Sequence, residues 1–315
     1  MPKYAIALHG GAGTIDRKDI TGEMEKAYKL GLEEALDAGY LILDKGGSAV
    51  DAVTQSCVIL EDSPLFNAGR GSVFTRTGTH EMDACIMDGS TLRAGALTCV
   101  RNIKNPILLA LEIMNHSEHV FLSGEGAFNF AVSRGITTES DEYFFTRHRY
   151  DQWESVRDQE DTYLDHNDPG KAKLEKPKKF GTVGVVAHDA EGNLAAATST
   201  GGMTNKNYNR IGDSPVIGSG TYANNKTCAI SCTGHGEVFL LAVAAYDVSC
   251  LMEYRNCTLQ QAMDIVVNDK LVKMKGEGGI IGVDAKGNIS MQFNSTGMYR
   301  AARNNEGYKE LAIYR

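Results

Sequence analysis

The sequence changes character at Gly181-Thr182, and this junction constrains the fold more than any other feature. Residues 151–180 are highly charged and show almost no apolar periodicity, which indicates a linker or surface segment. Residues 182–188 are largely apolar and predict a buried strand. The junction therefore separates a first part of mixed helices and strands from a second part that is rich in strands.

The second part contains two predicted β-hairpins with nearly the same turn. Residues 182–200 and 279–294 each carry two apolar runs separated by Asp-Ala-x-Gly-Asn, a turn sequence typical of hairpins. The shared turn indicates two elements of one β-rich layer rather than a tandem repeat array. Between the hairpins, residues 236–254 are apolar on nearly every face and predict one buried helix that covers a sheet.

The first part alternates helices with strands. Ser48 and Asp51 match the Ser-x-x-Asp capping pattern, which marks the start of a helix. Pro106 is expected at the first position of another helix, where its missing N–H costs nothing. The predicted elements are a strand at 4–8, helices at 23–44 and 48–61, strands at 79–88 and 94–100, and a helix that opens at 105–106.

Composition and charge indicate a globular protein in water. The 315 residues are 42% hydrophobic and 23% charged, which is ordinary for such proteins. A net charge of −8 argues against a general nucleic-acid binder, which needs a basic face. No apolar run reaches about 18 residues, so no membrane span is expected. Residues 1–8 are too short for a signal peptide, and we expect a cytoplasmic protein.

Neither the cysteines nor a pair of histidines predicts a metal site. The seven cysteines are odd in number and mostly lie in apolar runs, which is typical of reduced, buried thiols. Cys228 and Cys232 lie four residues apart on a predicted strand, whereas a zinc site needs a tight turn. His116 and His119 are expected at the surface, at the end of a helix.

Thr182 is a candidate nucleophile. A cut between Gly181 and Thr182 would leave a hydroxyl and a free α-amine on one residue, which is a nucleophile with its own base. The polar segment before the cut could be displaced, and the strand after it would hold the new N-terminus rigidly. A threonine that opens a strand is also an ordinary structural residue, so the Gly-Thr pair alone does not decide between the two.

Two further groups could support such a nucleophile. Thr200, at the end of the return strand, lies close to Thr182 if the hairpin forms. Arg210 and Asp213 lie three apart in a turn-rich loop and could grip the carboxylate and the ammonium of a free amino acid. Each group has a structural alternative: an ordinary strand end in the first case, and a surface ion pair of little energetic value in the second.

Residues 231–237 run from a strand into a helix and predict an anion site. Backbone N–H groups at a helix N-terminus bind anions, and donors aimed at a tetrahedral intermediate form an oxyanion hole. Gly234 and Gly236 would allow close approach, and the Thr233 hydroxyl could add a donor. The alternative is a plain helix start with glycine in its turn.

Together these features resemble the plant-type asparaginase/isoaspartyl aminopeptidase family of N-terminal nucleophile hydrolases. The likeness runs nearly end to end, and seven motifs in this order are far more specific than any one of them. The motifs are HGGAG at 9–13, PLFNAG at 64–69, MDG at 87–89, GTVG at 181–184, ATSTGG at 197–202, RIGDSP at 210–215 and TGHGE at 233–237.

The resemblance implies an α+β fold, a four-layer αββα sandwich formed by residues 1–315 as one domain. It also implies that the precursor cuts itself between Gly181 and Thr182, when the Thr182 hydroxyl attacks the Gly181 carbonyl. The products would be an α subunit, 1–181, and a β subunit, 182–315. The mature form would be a homodimer of such cleaved units.

The resemblance further implies hydrolysis of L-asparagine and of β-aspartyl dipeptides. Thr182 would be the nucleophile, with its own α-amine as base. The resemblance implies no organic cofactor, but it does imply a structural sodium ion. Some relatives also respond to potassium. The other implied roles are Thr200 in support of the nucleophile, Thr233 and Gly234 in the oxyanion hole, Arg210 on the α-carboxylate, Asp213 on the α-amine, Gly236 in the substrate pocket, Asn67 near the active site, and the backbone of Leu60, Glu61, Ser63, Phe66 and Ala68 around sodium.

Three other functions remain open from the sequence. A glycosylasparaginase would share the fold and the nucleophile, although such enzymes are lysosomal or secreted. A threonine-dependent endopeptidase would act on proteins, whereas Arg210 and Asp213 suit a free amino-acid end. A non-catalytic α/β protein that binds a small anion would keep an intact chain and an ordinary Thr182.

Overall fold

The computed structural model describes residues 2–15, 17–158 and 181–315, so most of the predicted linker lies outside the described residues. Two β-sheets form the centre of the fold. The larger has eight strands in the order β12-β11-β1-β5-β6-β2-β3-β4, and the smaller has four in the order β10-β9-β8-β7. The strands are β1 Ala5–Gly13, β2 Met82–Asp88, β3 Ala94–Val100, β4 Phe121–Ser123, β5 Val183–His188, β6 Leu194–Thr200, β7 Thr221–Ala223, β8 Cys228–Gly234, β9 Gly278–Asp284, β10 Ile289–Phe293, β11 Gly297–Asn304 and β12 Lys309–Tyr314.

Helices cover the outer face of each sheet. Four lie against the large sheet, and a second set, which includes a π-helical turn at Ile265–Lys270, lies against the small one. Short 3₁₀ turns lie at Arg17–Asp19 and Gly69–Gly71. The α-helices are α1 Gly22–Asp44, α2 Ala49–Asp62, α3 Pro106–His116, α4 Gly124–Ser133, α5 Asp141–Phe144, α6 Arg147–Glu154, α7 Gly236–Ala242, α8 Ala244–Arg255, α9 Leu259–Asp264 and α10 Leu271–Lys273.

Both faces of β5 are buried, which shows how the layers stack. Val183 and Val185 point into the core that α1 to α3 share with the large sheet. Val186, on the other face, packs in a cluster with Ile281 and Val283 of the small sheet. Two sheets face each other and helices close both sides, so the predicted αββα sandwich is confirmed.

The two predicted hairpins are present, but the prediction that they belong to one β-rich layer was wrong, because β5 and β6 pair with β1 and β2 of the large sheet whereas β9 pairs with β8 of the small one. β5 and β6 pair in the large sheet, and β9 and β10 pair in the small one. The two strands before the first hairpin also form, although β2 begins at Met82 and not at 79, because the backbone N–H of Thr75 donates to the Thr79 carbonyl in a tight turn. Ser48 caps α2 as predicted, and its Oγ accepts from the Asp51 N–H at 3.0 Å.

The prediction of one buried helix over 236–254 was wrong. The segment forms two helices, α7 and α8, which are separated by Val243 in the left-handed region with φ 50°. The first N–H groups of α8 donate to the carbonyls of Gly218 and Ser219, so the chain turns over that loop. Leu241 is 78% exposed and Tyr254 is 70% exposed, hence the apolar composition does not mean burial on every face.

The described residues contain no cluster of three or more His, Cys, Asp or Glu side chains that could hold a metal ion. All seven cysteines are unpaired, and Cys228 and Cys232 are buried thiols. His116 and His119 are exposed, as predicted. No helix within 2–15, 17–158 and 181–315 has the length and apolarity needed to cross a membrane.

Candidate active site

Thr182 lies directly before β5, at the open end of the β5–β6 hairpin. Because Val183 pairs with Ser199 in the antiparallel register, the next residues outward, Thr182 and Thr200, face each other. The Thr182 Oγ1 donates to Thr200 Oγ1 at 3.2 Å, and it lies 3.2 Å from the Oγ of Ser214. Thr182 is 9% exposed, so its hydroxyl lies in a sheltered position within 3.2 Å of two other hydroxyls, those of Thr200 and Ser214.

A cleft opens over the Thr182 hydroxyl. Six of the predicted catalytic and substrate-binding residues line it, together with Gly181 on the other side of the predicted cut, whereas Thr233 and Asn67 do not. Its lining residues are Gly181, Thr182, Thr200, Gly202, Met203, Arg210, Gly212, Asp213, Ser214, Gly234 and Gly236.

Asn67 braces the loop behind the nucleophile. Its Nδ2 donates to the Gly202 carbonyl at 2.7 Å, and its Oδ1 accepts from the Val73 N–H at 3.0 Å. The Gly202 N–H in turn donates to Thr200 Oγ1 at 3.0 Å. Asn67 therefore contacts the Thr200–Gly202 turn and reaches Thr182 only indirectly, through Thr200.

Gly181 is held between the N-terminal strand and β8. A Cβ at Gly11, where φ is 115°, would lie 2.6 Å from the Gly181 nitrogen, and a Cβ at Gly181 would lie 3.0 Å from Thr233 Oγ1. The Thr233 hydroxyl also accepts from the Ala12 N–H at 3.3 Å. Larger residues at these glycines would push the peptide before Thr182 away from Thr233. Gly11 and Gly181 therefore allow β1, the junction and β8 to pack closely together.

Arg210, Asp213 and Gly236 meet at the other end of the cleft. A Cβ at Gly236 would lie 2.6 Å from Arg210 Nη2 and 3.1 Å from Asp213 Oδ1. The guanidinium is fixed by Glu237, whose two carboxylate oxygens accept from Nε and Nη2 at 2.8 Å each. This contact of Glu237 was not predicted, although the residue lies in the TGHGE motif.

Asp213 carries an unusual carboxyl group. It is buried, and burial raises its pKa to about 7, while the charge of Arg210 opposes the shift. Its Oδ2 has no hydrogen-bond partner in the part of the chain that the structure describes. A buried carboxylate oxygen without a hydrogen-bond partner is costly, and a cationic ligand in the cleft would supply one.

His9 ties the N-terminal strand to Thr182, and sequence reasoning missed this contact. Its Nδ1 lies 3.0 Å from the Thr182 carbonyl oxygen, and its Nε2 lies 3.0 Å from Ser231 Oγ. Burial lowers the pKa of His9 to about 3, so the ring is neutral. A carbonyl only accepts, which assigns the proton to Nδ1, and Ser231 therefore donates to Nε2. The available signals were a histidine within an apolar strand and its place at the start of the HGGAG motif.

The loop predicted to hold sodium follows α2. A Cβ at Gly71 would lie 2.0 Å from the Phe66 carbonyl oxygen and 3.0 Å from that of Ser63, and a Cβ at Gly69 would lie 2.5 Å from that of Glu61. The Ala68 carbonyl accepts from the Gly71 N–H at 3.0 Å. Leu60 lies in the last turn of α2. Several backbone carbonyls thus converge on one turn, a donor set that suits a hard cation.

Comparison with known proteins decides the family. A family model described as asparaginase matches residues 2–313. The chain belongs to this family. An isoaspartyl peptidase of Salmonella typhimurium is 51% identical over 301 residues, which cover 96% of the chain and 95% of the relative. An isoaspartyl peptidase of Escherichia coli is 50% identical over 301 residues, 96% of the chain and 93% of that protein.

The likeness extends to plants. A probable isoaspartyl peptidase/L-asparaginase of Arabidopsis thaliana is 40% identical over an alignment of 329 positions, which covers the whole of both chains. The seven motifs therefore predicted the asparaginase family correctly, and the family match covers the N-terminal motif as well as the nucleophile region.

Proposed function

We propose that this asparaginase-family chain is a hydrolase that converts L-asparagine to L-aspartate and ammonia and cleaves β-aspartyl residues from isoaspartyl dipeptides. Two relatives at 50–51% identity are named isoaspartyl peptidases, and a relative at 40% identity is named a probable isoaspartyl peptidase/L-asparaginase. The observation that carries the proposal is the cleft itself, where the sheltered Thr182 hydroxyl and the Arg210–Asp213 pair open into one space.

The first step is self-cleavage. The Thr182 hydroxyl attacks the Gly181 carbonyl carbon, the Thr182 Oγ1–C bond forms, and the peptide C–N bond breaks as the nitrogen takes a proton. Water then hydrolyses the resulting ester and releases residues 1–181 from 182–315. Close packing of Gly181 against Gly11 and Thr233 holds its peptide beside the nucleophile, and such positioning removes much of the entropic barrier.

The α-amine that the cut exposes becomes the base for substrate hydrolysis. It takes the proton of the Thr182 hydroxyl as Oγ1 attacks the side-chain amide carbon, and it returns a proton to the departing nitrogen. Thr233 and Gly234 stabilise the oxyanion. Water then hydrolyses the acyl-enzyme, which restores the Thr182 hydroxyl and frees aspartate.

Arg210 and Asp213 select a substrate with a free amino-acid end. Glu237 occupies the Nε–Nη2 edge of Arg210, which leaves the Nη1–Nη2 end for the substrate α-carboxylate. The Asp213 carboxylate pairs with the α-ammonium, which lowers the cost of its burial. Both contacts would be lost with an internal peptide bond, and they favour this function over an endopeptidase.

Sodium would suit the turn after α2. Its ligands would be the backbone carbonyls of Leu60, Glu61, Ser63, Phe66 and Ala68, and the ion would fix the loop that carries Asn67. Through Asn67, this would steady the Thr200–Gly202 turn behind the nucleophile. A cytoplasmic location and a homodimer of cleaved units remain predictions from the sequence.

Intact mass of the purified, denatured protein tests the proposal first. We expect two species, one that ends at Gly181 and one that begins at Thr182. We also expect release of aspartate from L-asparagine and from a β-aspartyl dipeptide. Thr182→Ala should give one uncut species without activity, whereas the exposed Thr137→Ala should behave as wild type. Hydrolysis by a Thr182→Ala protein would contradict the assignment of the nucleophile.

A further inference from the structure

We propose that Ser214 is a second catalytic hydroxyl, which donates a hydrogen bond to Thr182 Oγ1 while that oxygen gains and loses its bond to carbon. The proposal rests on the proposed function, since it requires Thr182 to be the nucleophile. Ser214 lies in the RIGDSP motif, directly after Asp213.

Geometry brings Ser214 to the reacting atom. Its Oγ lies 3.2 Å from Thr182 Oγ1, the same distance as that between Thr182 Oγ1 and Thr200 Oγ1. Ser214 is 1% exposed, yet it lines the cleft. Its hydroxyl therefore faces the nucleophile from a position that bulk water scarcely reaches, where a hydrogen bond to developing charge is strongest.

The supply of protons fixes the direction of this hydrogen bond. Thr182 has one hydroxyl proton, which it donates to Thr200 Oγ1. The contact between Thr182 and Ser214 must then use the proton of Ser214. When the α-amine of the mature enzyme takes the Thr182 proton, Ser214 still donates to the same oxygen.

The main chain of Ser214 is held in place by its neighbours. Its carbonyl accepts from Thr221 Oγ1 at 3.0 Å, and the Val216 N–H donates to the Asp213 carbonyl at 2.9 Å. A Cβ at Gly220 would lie only 2.7 Å from the Ser214 Cα, so the loop that carries Ser214 packs closely against the residue that precedes β7. The hydroxyl is therefore presented from a rigid loop rather than from a mobile one.

A donor at this position assists both halves of the reaction. In acylation the Thr182 Oγ1–H bond breaks and the Oγ1–C bond forms, and partial negative charge on Oγ1 is stabilised by the Ser214 proton. In deacylation the Oγ1–C bond breaks after water attacks, and the same charge returns before Oγ1 regains a proton. Preorganised donors at developing charge act mainly on kcat.

The test compares Ser214→Ala with wild type and with Ser290→Ala. Ser290 is a matched control because its buried Oγ, on β10, has no hydrogen-bond partner in the described ranges. We expect Ser214→Ala to lower kcat for L-asparagine by about 10- to 100-fold, with KM within about twofold, because removal of one preorganised donor typically costs at least this much in rate. Self-cleavage, followed by intact mass over time, should slow as well.

Each outcome is decisive for one of the two proposals. A wild-type protein that neither cuts itself nor hydrolyses either substrate overturns the proposed function. An active wild type with a folded Ser214→Ala variant of unchanged kcat, or with a change in KM alone, overturns the role of Ser214. If Ser214→Ala does not fold, Ser214→Cys keeps a similar volume with a weak donor, and an unchanged kcat in that variant has the same meaning.

Discussion

Gly236→Ala should block the amino-acid end of the cleft without disturbing the fold. Gly236 is the first residue of α7 and has no positive φ, so alanine meets no backbone strain there. Its Cβ, however, would lie 2.6 Å from Arg210 Nη2 and 3.1 Å from Asp213 Oδ1. The methyl group would thus stand between the two groups proposed to hold the substrate charges.

The size of the effect follows from how far Arg210 must move. Ordinary contact with a Cβ begins at 3.4 Å, so Nη2 must retreat by about 0.8 Å, the difference between 3.4 and 2.6. Glu237 holds the guanidinium through two bonds of 2.8 Å, so the retreat strains both. Misplacement of a positioning group by about 1 Å costs on the order of 100-fold, or about 2.7 kcal/mol.

Steady-state kinetics with L-asparagine and a β-aspartyl dipeptide measure this loss. We expect kcat/KM to fall about 100-fold for both substrates, mostly through KM, while self-cleavage proceeds as in wild type because it does not use the amino-acid end. Gly126→Ala is the matched control, since a Cβ at this position in α4 meets nothing within 4 Å. A Gly236→Ala enzyme with wild-type KM would refute the binding roles of Arg210 and Asp213.

Two further predictions concern titration and the buried histidine. Because burial raises the pKa of Asp213 to about 7, the carboxyl becomes neutral as the pH falls through this value and loses its hold on the substrate ammonium. The slope of log kcat/KM below pH 7 should therefore approach 2 in wild type, with the Thr182 amine as the other group, and about 1 in Asp213→Asn; equal slopes would exclude Asp213. His9→Phe should destabilise the fold by about 1–3 kcal/mol in denaturant unfolding, because the Thr182 carbonyl and the Ser231 hydroxyl each lose a hydrogen-bond partner. The His9→Phe substitution should also slow self-cleavage. Unchanged stability would show that His9 does not hold the Thr182 carbonyl in place.

Contacts that span short stretches of sequence were predictable. Thr182 and Thr200 belong to one hairpin, so a recognised turn and a period of two suffice to place them together. Arg210 and Asp213 share one loop, and their charges suggested a common ligand. In each case the residues lie close along the chain and the local geometry determines which way they face.

Contacts that depend on topology were not predictable from the residues alone. His9 precedes Thr182 by 173 residues, and the two meet because β1 and β5 are neighbours in the large sheet. The break at Val243 depends on carbonyls of a loop some 25 residues earlier in the chain. β11 and β12 carry charged residues among their apolar ones, so periodicity gave no clear strand there, although they complete one side of the large sheet.

The strand order explains why a cut beside Thr182 need not separate the two fragments or disrupt the active site. Within the large sheet, residues 1–181 supply β1 to β4 and residues 182–315 supply β5, β6, β11 and β12. The two parts interleave, since β1 lies between β11 and β5, and β2 pairs with β6. Separation would break three strand ladders whose residues are almost wholly buried, whereas the cut removes a single covalent bond. The contact from His9 to the Thr182 carbonyl crosses the same boundary, so the first fragment continues to position the nucleophile after the peptide bond is gone.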